Sequence, residues 1–299
     1  MILFAPNPTG YMHIGSLRTY IEAYDYAKAC GEKLAVRFDY LSTLNEDLQA
    51  YYESNMLELL QSLDLSPDVV FYNKQSDAIV LNHVPSDCAV YDVNEYRISG
   101  APFYVLEEYN NRFIHDYDAL VTDYPVSTRI IVPTKYDKSG ITRVKSISDP
   151  VYKLKVDQVF IDKMFEVPYP IHKWPYTLNI SLMGVEHKNG WKLGYVANGL
   201  VQNHLHGVTH VFRGASTAYI RPFMEVEQAR ILRIPLPSQT IVPTIQQNGR
   251  KIRKTGNKVG DDTVVEHLLQ IHPDLVTKIR RHIASVPSHA FIDYSEILG

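Results

Sequence analysis

A hydroxyl, an imidazole and a second hydroxyl stand at Thr9, His13 and Ser16, set among Pro6, Pro8, Gly10 and Gly15 in the opening run MILFAPNPTGYMHIGS. The apolar start, the Pro- and Gly-rich turn and His13-Ile14-Gly15-Ser16 read as a strand, a tight turn and a helix start. Such a junction binds anions, because the first N–H groups of a helix lack intrahelical acceptors and the positive end of its dipole points the same way. Phosphate is the natural guest. A second charged feature lies at 249–258, where five of ten residues are Lys or Arg. Two further groups stand at strand ends: Asp39, where ligands are met in open parallel sheets, and Arg213, whose charge on a buried strand is costly unless it is paired. Two of these features also have a plainer reading, a capping or core histidine and a solvated basic loop, whereas Arg213 is harder to explain as structure alone.

The elements that must carry these groups follow from periodicity. Leu17, Ile21, Tyr24 and Ala27 recur at helical spacing over 17–28, and Gly31 ends the helix. Residues 34–38 read as a buried strand, Asn45 as the cap of an amphipathic helix over 46–63, and 69–72 as a third strand. This is the opening of a doubly wound fold. Between 78 and 190 the alternation fails. Short β-like runs at 103–106, 129–132 and 157–161 sit among polar turns, and many of the 21 tyrosines fall there. Apolar runs return at 192–201 and 208–213, and Ser216 is placed to cap a helix reaching Arg233, with Phe223, Val226, Ala229 and Ile231 inward. The expected fold is therefore α/β, a Rossmann-type parallel sheet. Residues 1–77 form its first half, 78–190 an inserted β-rich subdomain, 191–260 its second half, and 261–299 a short helical appendage capped at Asp262.

Composition narrows the class. The chain of 299 residues, 45% hydrophobic and 21% charged, can bury a sizeable core. No apolar run approaches the roughly 20 residues of a membrane span, and Met1 leads straight into the first strand without a charged leader. We expect a cytosolic (cytoplasmic) protein without a membrane partner. Cys30 and Cys88 are isolated, so no disulfide framework, Cys-based zinc site or protein-only metal cage is written here. A net charge of −3 gives no general attraction to polyanions, leaving 249–258 as a local basic patch.

Five motifs in order carry a resemblance. P-x-P-T-G-x-x-H-I-G at 6–15, continued by Leu17-Arg18-Thr19, is followed by Val36-Arg37-Phe38-Asp39. Ser62-Leu63-Asp64-Leu65 comes next with Gln75-Ser76, then Gly207-Val208-Thr209-His210-Val211-Phe212-Arg213-Gly214, and finally Lys251-Ile252-Arg253-Lys254-Thr255. The chain resembles class I aminoacyl-tRNA synthetases of the glutamyl/glutaminyl group, whose HIGH and KMSKS signatures stand at these first and last places. The resemblance implies an ATP site of Pro6, Thr9, Gly10, His13, Gly15 and Ser16, closed from the other side by Lys251, Ile252 and Lys254. Catalysis would fall to His13, Ser16, Lys251 and Lys254. It implies an amino-acid site of Leu3, Ala5, Asn7, Asp39, Tyr195, Gly199 and Arg213, with Asp39 in place of the glutamate that holds the α-ammonium group. ATP is the implied cofactor, with Mg2+ on its phosphates.

Departures from the pattern point away from glutamate. Leu3 stands where the family has the arginine that neutralises the substrate's side-chain carboxylate, and burying that carboxylate unpaired costs several kcal/mol by the usual penalty for a lone charge. Asn7 replaces a serine, Arg253 the serine of the last motif, Gln202-Asn203 an acidic pair, and Ala215-Ser216 acidic residues. Only 41 residues follow Lys258. This shortness is similar to glutamyl-queuosine tRNA(Asp) synthetases, which lack the anticodon-binding region, although their zinc site has no counterpart at Cys88. The expected function is ATP-dependent formation of an aminoacyl adenylate and transfer to an acceptor, the tRNA acceptor stem or another acyl acceptor. Its rivals are a catalytically silent paralogue that binds tRNA or protein, and a nucleotidyltransferase acting on another substrate.

Overall fold

In β1 (Ile2–Phe4) all three residues are buried, as a strand must be when both faces of its sheet are covered. A computed structural model of the chain describes residues 1–40, 46–74, 80–81, 88–92, 105–107, 112–114, 128–133, 141–145, 150–154, 181–187, 190–193, 195–214, 225, 229, 232–247, 250–252, 261–285 and 291–298. The chain leaves β1 through the turn at 5–12 and enters α1 (Ile14–Cys30). That helix starts three residues earlier than its apolar periodicity shows, because His13 acts as the cap with extended backbone, and it ends at Gly31, whose φ of 68° is the left-handed conformation glycine adopts without strain. β2 (Leu34–Tyr40), α2 (Glu46–Ser62) and β3 (Val69–Lys74) follow. The Asn45 cap lies outside the described residues.

Residues from 80 to 193 supply short strands: β4 (Val80–Leu81), β5 (Cys88–Asp92), β6 (Val105–Glu107), β7 (Arg112–Ile114), β8 (Thr128–Pro133), β9 (Ile141–Lys145), β10 (Pro150–Leu154), β11 (Ser181–His187) and β12 (Gly190–Leu193). Five of them form an antiparallel sheet in the order β4-β12-β11-β8-β5, with β6/β7 and β9/β10 as separate hairpins. The runs read at 103–106 and 129–132 correspond to β6 and β8; the run at 157–161 lies outside the described residues.

The chain then returns to the first sheet. α3 (Tyr195–Leu205), β13 (His210–Gly214) and β14 (Ser238–Val242) complete it in the order β14-β13-β1-β2-β3, every pair parallel. This is the Rossmann-like order expected from sequence, and its direction of travel reverses between β1 and β13, where open α/β sheets bind ligands at the carboxyl ends. The period of two in β1 divides the core. Ile2 and Phe4 face α1 with Leu17, Tyr20 and Ile21, whereas Leu3 faces the other way with Ala35, Phe71, Val208 and Val211. Most of the helix expected over 216–233 lies outside the described residues; Glu225 and Ala229 are helical and buried.

Past the sheet come β15 (Thr244–Gln247), β16 (Arg250–Lys251), α4 (Val265–Ile271), α5 (Leu275–Ser285), β17 (Phe291–Asp293) and α6 (Tyr294–Leu298). The appendage is thus helical with one strand, β17, which runs parallel to β15. Asp262 is not its cap. α4 begins after Val264, which makes no side-chain cap; the turn before α1 satisfies the helix instead, since the Val265 N–H donates to the Met12 carbonyl at 2.9 Å. No helix among the described residues is long and apolar enough to cross a membrane.

Candidate active site

The first turn of α1 gathers the groups nearest the expected phosphate position. The Ser16 N–H is shared between the His13 carbonyl at 2.9 Å and His13 Nδ1 at 3.2 Å. With Nδ1 accepting, the neutral ring carries its proton on Nε2, a donor that stands 3.3 Å from Ser16 Oγ. Gly15 allows this packing: a Cβ there would lie 3.1 Å from the His13 ring and 3.3 Å from Ile245 Cβ of β15. The helix's first amides are less open than the sequence implies. The Ile14 N–H donates to the Thr263 carbonyl at 2.9 Å, within a short bridge between His13 and Val264. An anion brought to this helix end would meet the ring, the hydroxyl and the helix dipole more than a row of open N–H groups.

The turn itself is tied to the sheet. Pro6, Pro8 and Gly10 are buried and Ala5, Asn7 and Thr9 half-buried. The Thr9 N–H donates to the Asn7 carbonyl at 2.9 Å, and the Asp39 N–H to the Pro6 carbonyl at 3.0 Å. Tyr11 shares a hydrogen bond of 3.0 Å with Tyr51 on α2; that bond, with burial, pushes its phenol up to about 12.

The second basic motif approaches the same helix end through Ile245. Its carbonyl accepts from the Ile252 N–H at 3.3 Å while its Cβ lies against Gly15. Lys251 pairs with Gln246 on this hairpin. Ile252, read as an ATP contact, is buried in the main core, so its side chain packs. The side chain of Lys251 and all of Lys254 lie outside the described residues.

On the other face of the sheet a polar network spans three elements, β2, β3 and α3. Arg37 and Asp39, two apart on β2, share that face; Nε reaches Asp39 Oδ1 at 2.7 Å and an Nη reaches Oδ2 at 3.2 Å. The second Nη of Arg37 donates to the Gly199 carbonyl at 2.9 Å and to Asn203 Oδ1. Asn73 on β3 donates to Asp39 Oδ1 at 3.3 Å and accepts from Asn198 at 2.8 Å. All five side chains are buried. Gly199 is required there, because a Cβ would lie 3.1 Å from Asn73 Nδ2 and 3.3 Å from the Arg37 guanidinium. Asp39, read as the ammonium contact, thus has a guanidinium of the chain beside it. The alternation of β2 showed Arg37 and Asp39 on one face; nothing local announced Asn73, Asn198 or Asn203 as their partners.

Arg213 lies on β13 with an Nη 2.9 and 3.0 Å from the two carboxylate oxygens of Glu225. Gln239 of β14 donates to the same carboxylate at 2.9 Å. Glu225 and Gln239 were not read from the sequence: Glu225 lies outside the strands, and only the sheet order brings Gln239 to its carboxylate. Leu3 is fully buried in its apolar cluster. Tyr195 opens α3, and its side chain lies outside the described residues.

Residues 1–83 match the family of class I tRNA synthetases (E and Q), catalytic domain. That span holds β1, the His13 turn, α1, β2, α2 and β3. Over that span the chain is similar to class I tRNA synthetases of the glutamyl and glutaminyl type. It is 26% identical over 224 residues to the glutamate–tRNA ligase of Pyrococcus horikoshii, covering 72% of this chain and 35% of that one. It is 24% identical over 271 residues to the ligase of Treponema denticola, covering 85% and 49%. The chain therefore spans about a third to a half of the length of the curated relatives it matches. A crystal structure of glutamate–tRNA synthetase from Elizabethkingia anophelis superposes with a TM-score of 0.46 at 16% identity, over 84% of this chain and 51% of that one.

Proposed function

We propose that the chain activates an amino acid with ATP, releasing pyrophosphate, and passes the acyl group of the resulting aminoacyl adenylate to an acceptor. The observation that carries this reading is the meeting of His13, Ser16 and the β15–β16 hairpin at one helix end through Ile245. In-line attack of a carboxylate on the α-phosphorus of ATP needs little covalent help from a protein. It needs charge stabilisation on the phosphoryl group and on departing pyrophosphate. His13 Nε2, the Ser16 hydroxyl and the α1 dipole suit one side of the phosphates, and Lys251 and Lys254 the other. Mg2+ would enter with the nucleotide, held by phosphate oxygens and water. Asp39, Tyr195, Gly199 and Arg213 border the amino-acid side at the strand ends. The sheet at 80–193 is the place for an acceptor, a tRNA acceptor stem or another acyl acceptor, and the setting is cytosolic.

Amino-acid-dependent exchange of labelled pyrophosphate into ATP, run across a panel of amino acids with and without total tRNA, tests the reading. Exchange with one amino acid or a few supports it, and none under either condition overturns it. A second reading, a silent tRNA- or protein-binding relative, draws on Arg253 in the last motif and on Gln202-Asn203 in place of an acidic pair. It is favoured if exchange is absent while tRNA is retained.

A further inference from the structure

We infer that the segment Thr263–Val265, in the appendage, is a positioning part of the nucleotide site: it fixes the backbone of His13 from both sides, so that docking of the appendage and binding of nucleotide support each other. The inference rests on the reading of the α1 start as the place for the phosphates of ATP. Each peptide unit flanking His13 has its partner in this segment. On one side the Met12 carbonyl accepts from the Val265 N–H at 2.9 Å; on the other the Ile14 N–H donates to the Thr263 carbonyl at 2.9 Å. His13 and Val264 thus stand opposite each other in an antiparallel bridge whose bonds lie on either side of the pair.

A residue has two soft backbone angles, and each is defined by one of its flanking peptide planes. With both planes held, the φ of −99° and ψ of 161° at His13 are set, and with them the direction in which its Cβ leaves the chain. Only the ring's own rotation remains, and Nδ1 settles that by accepting the Ser16 N–H at 3.2 Å. The segment is no cap that a phosphate could lift off the Ile14 N–H. Val264 and Val265 are fully buried, and Val265 packs in one core with Ile14, Ile245 and Ile252. Swinging the segment aside would expose both valines and strip two peptide groups of their partners. It is a fixed support, which makes the coupling positive: loosening the segment lowers nucleotide affinity, and nucleotide tightens the segment by the same factor.

Val265→Pro reads the contact at one atom. Val265 is the first residue of α4, where proline is tolerated. Val264 before it, at φ −79° and ψ 132°, already has the backbone that a residue preceding proline adopts. The variant deletes the N–H given to Met12, whereas Val265→Ala trims the side chain and keeps that N–H, so the difference between the two isolates the bond. Calorimetry on the full chain with ATP and Mg2+ should show Val265→Pro binding at least about tenfold more weakly than Val265→Ala, as a displaced positioning element predicts. In pyrophosphate exchange the same loss should appear in KM for ATP, with KM for the amino acid differing by less than about threefold between the two variants. Hydrogen exchange on the wild type reads the coupling from the other direction: ATP with Mg2+ should slow the amides of 263–271, none of them assigned to the ligand, by at least about threefold. Equal ATP affinities in the two folded variants, or equal losses for both substrates, overturn the inference and leave amino-acid activation standing. Should Val265→Pro fail to fold, hydrogen exchange decides, and unchanged amides at 263–271 overturn the inference. A wild type that binds no ATP overturns the nucleotide reading and this inference with it.

Discussion

The two sides of the candidate site are built by different means. Around His13 the chain relies on backbone: a turn tied to β2, a capped helix, and a bridge from 263–265 that closes on Met12 and Ile14. Around Arg37 and Arg213 it relies on side chains from β2, β3, α3, β13 and β14 that neutralise one another. Backbone geometry survives substitution of most side chains, so the turn and helix start at His13 keep a recognisable motif. A side-chain network changes meaning with one residue. The departures from the motif pattern fall on both sides, at Asn7 in the turn and Arg253 in the last motif as well as at Leu3 and Asn203.

The hardest test of that contrast is to break the network. Arg37→Met leaves Asp39, 1% exposed, without its cation, and should destabilise the fold by about 3–5 kcal/mol. Urea unfolding measures it. The double change Arg37→Met with Asp39→Asn should recover a good part of the loss, since the two effects are coupled. A single-variant loss below about 1 kcal/mol would mean that the pair does not hold the face together.

On the nucleotide side the expected loss is of rate and not of fold. Lys254→Ala should lower pyrophosphate exchange by roughly 10²–10³-fold, the range for removing one charge-stabilising donor. Amino-acid binding should change little. Equal losses in both would show that Lys254 acts in the ground state, against its assigned place.

The contrast also explains what could be read from the sequence. The sheet was legible because buried parallel strands are short apolar runs, and α1 because Leu17, Ile21, Tyr24 and Ala27 keep one period. The cap at His13 was legible because its partner, the Ser16 N–H, is three residues away. Glu225 and Gln239 were not: Glu225 lies outside the strands, and Gln239, which donates to its carboxylate, comes near only because β14 lies beside β13. The Asp262 cap failed for a related reason: the donor it was meant to satisfy is taken by the Met12 carbonyl, some 250 residues away in sequence.

A smaller effect sharpens the comparison at one atom. Gly199→Ala places a methyl 3.1 Å from Asn73 and 3.3 Å from the Arg37 guanidinium. Overpacking of this kind costs about 1–3 kcal/mol. The shift should appear in the urea midpoint and in KM for the amino acid, with KM for ATP nearly unchanged. A larger effect on ATP would place Gly199 on the wrong side of the site.

The smallest expected effect concerns how the appendage holds α1 from behind. His282 of α5 is 6% exposed, and neither ring nitrogen has a hydrogen-bond partner among the described residues. The charge of Arg18 of α1, 2% exposed and paired with Glu22 at 3.0 Å, acts on it, as does that of Glu296 in the opposite sense. Burial first, and then the Arg18 charge, holds the imidazole below its ordinary range. In the unfolded chain the group titrates near 6.5. Below that pH the unfolded state binds the proton first, so stability is present above about 6.5 and falls as the solution is acidified. The slope from one proton is at most about 1.4 kcal/mol per pH unit. Glu266, whose carboxyl is held high by burial, works in the opposite sense, because its folded form keeps a proton that the unfolded chain gives up as pH rises. The difference between wild type and His282→Leu isolates the histidine. Thermal melts from pH 7.5 to 5 should show the wild type losing stability on the acidic side relative to the variant, with pyrophosphate exchange at pH 7.5 equal in both. Parallel melting curves would mean that His282 finds water or a partner, and that the packing of α5 on α1 does not depend on its being neutral.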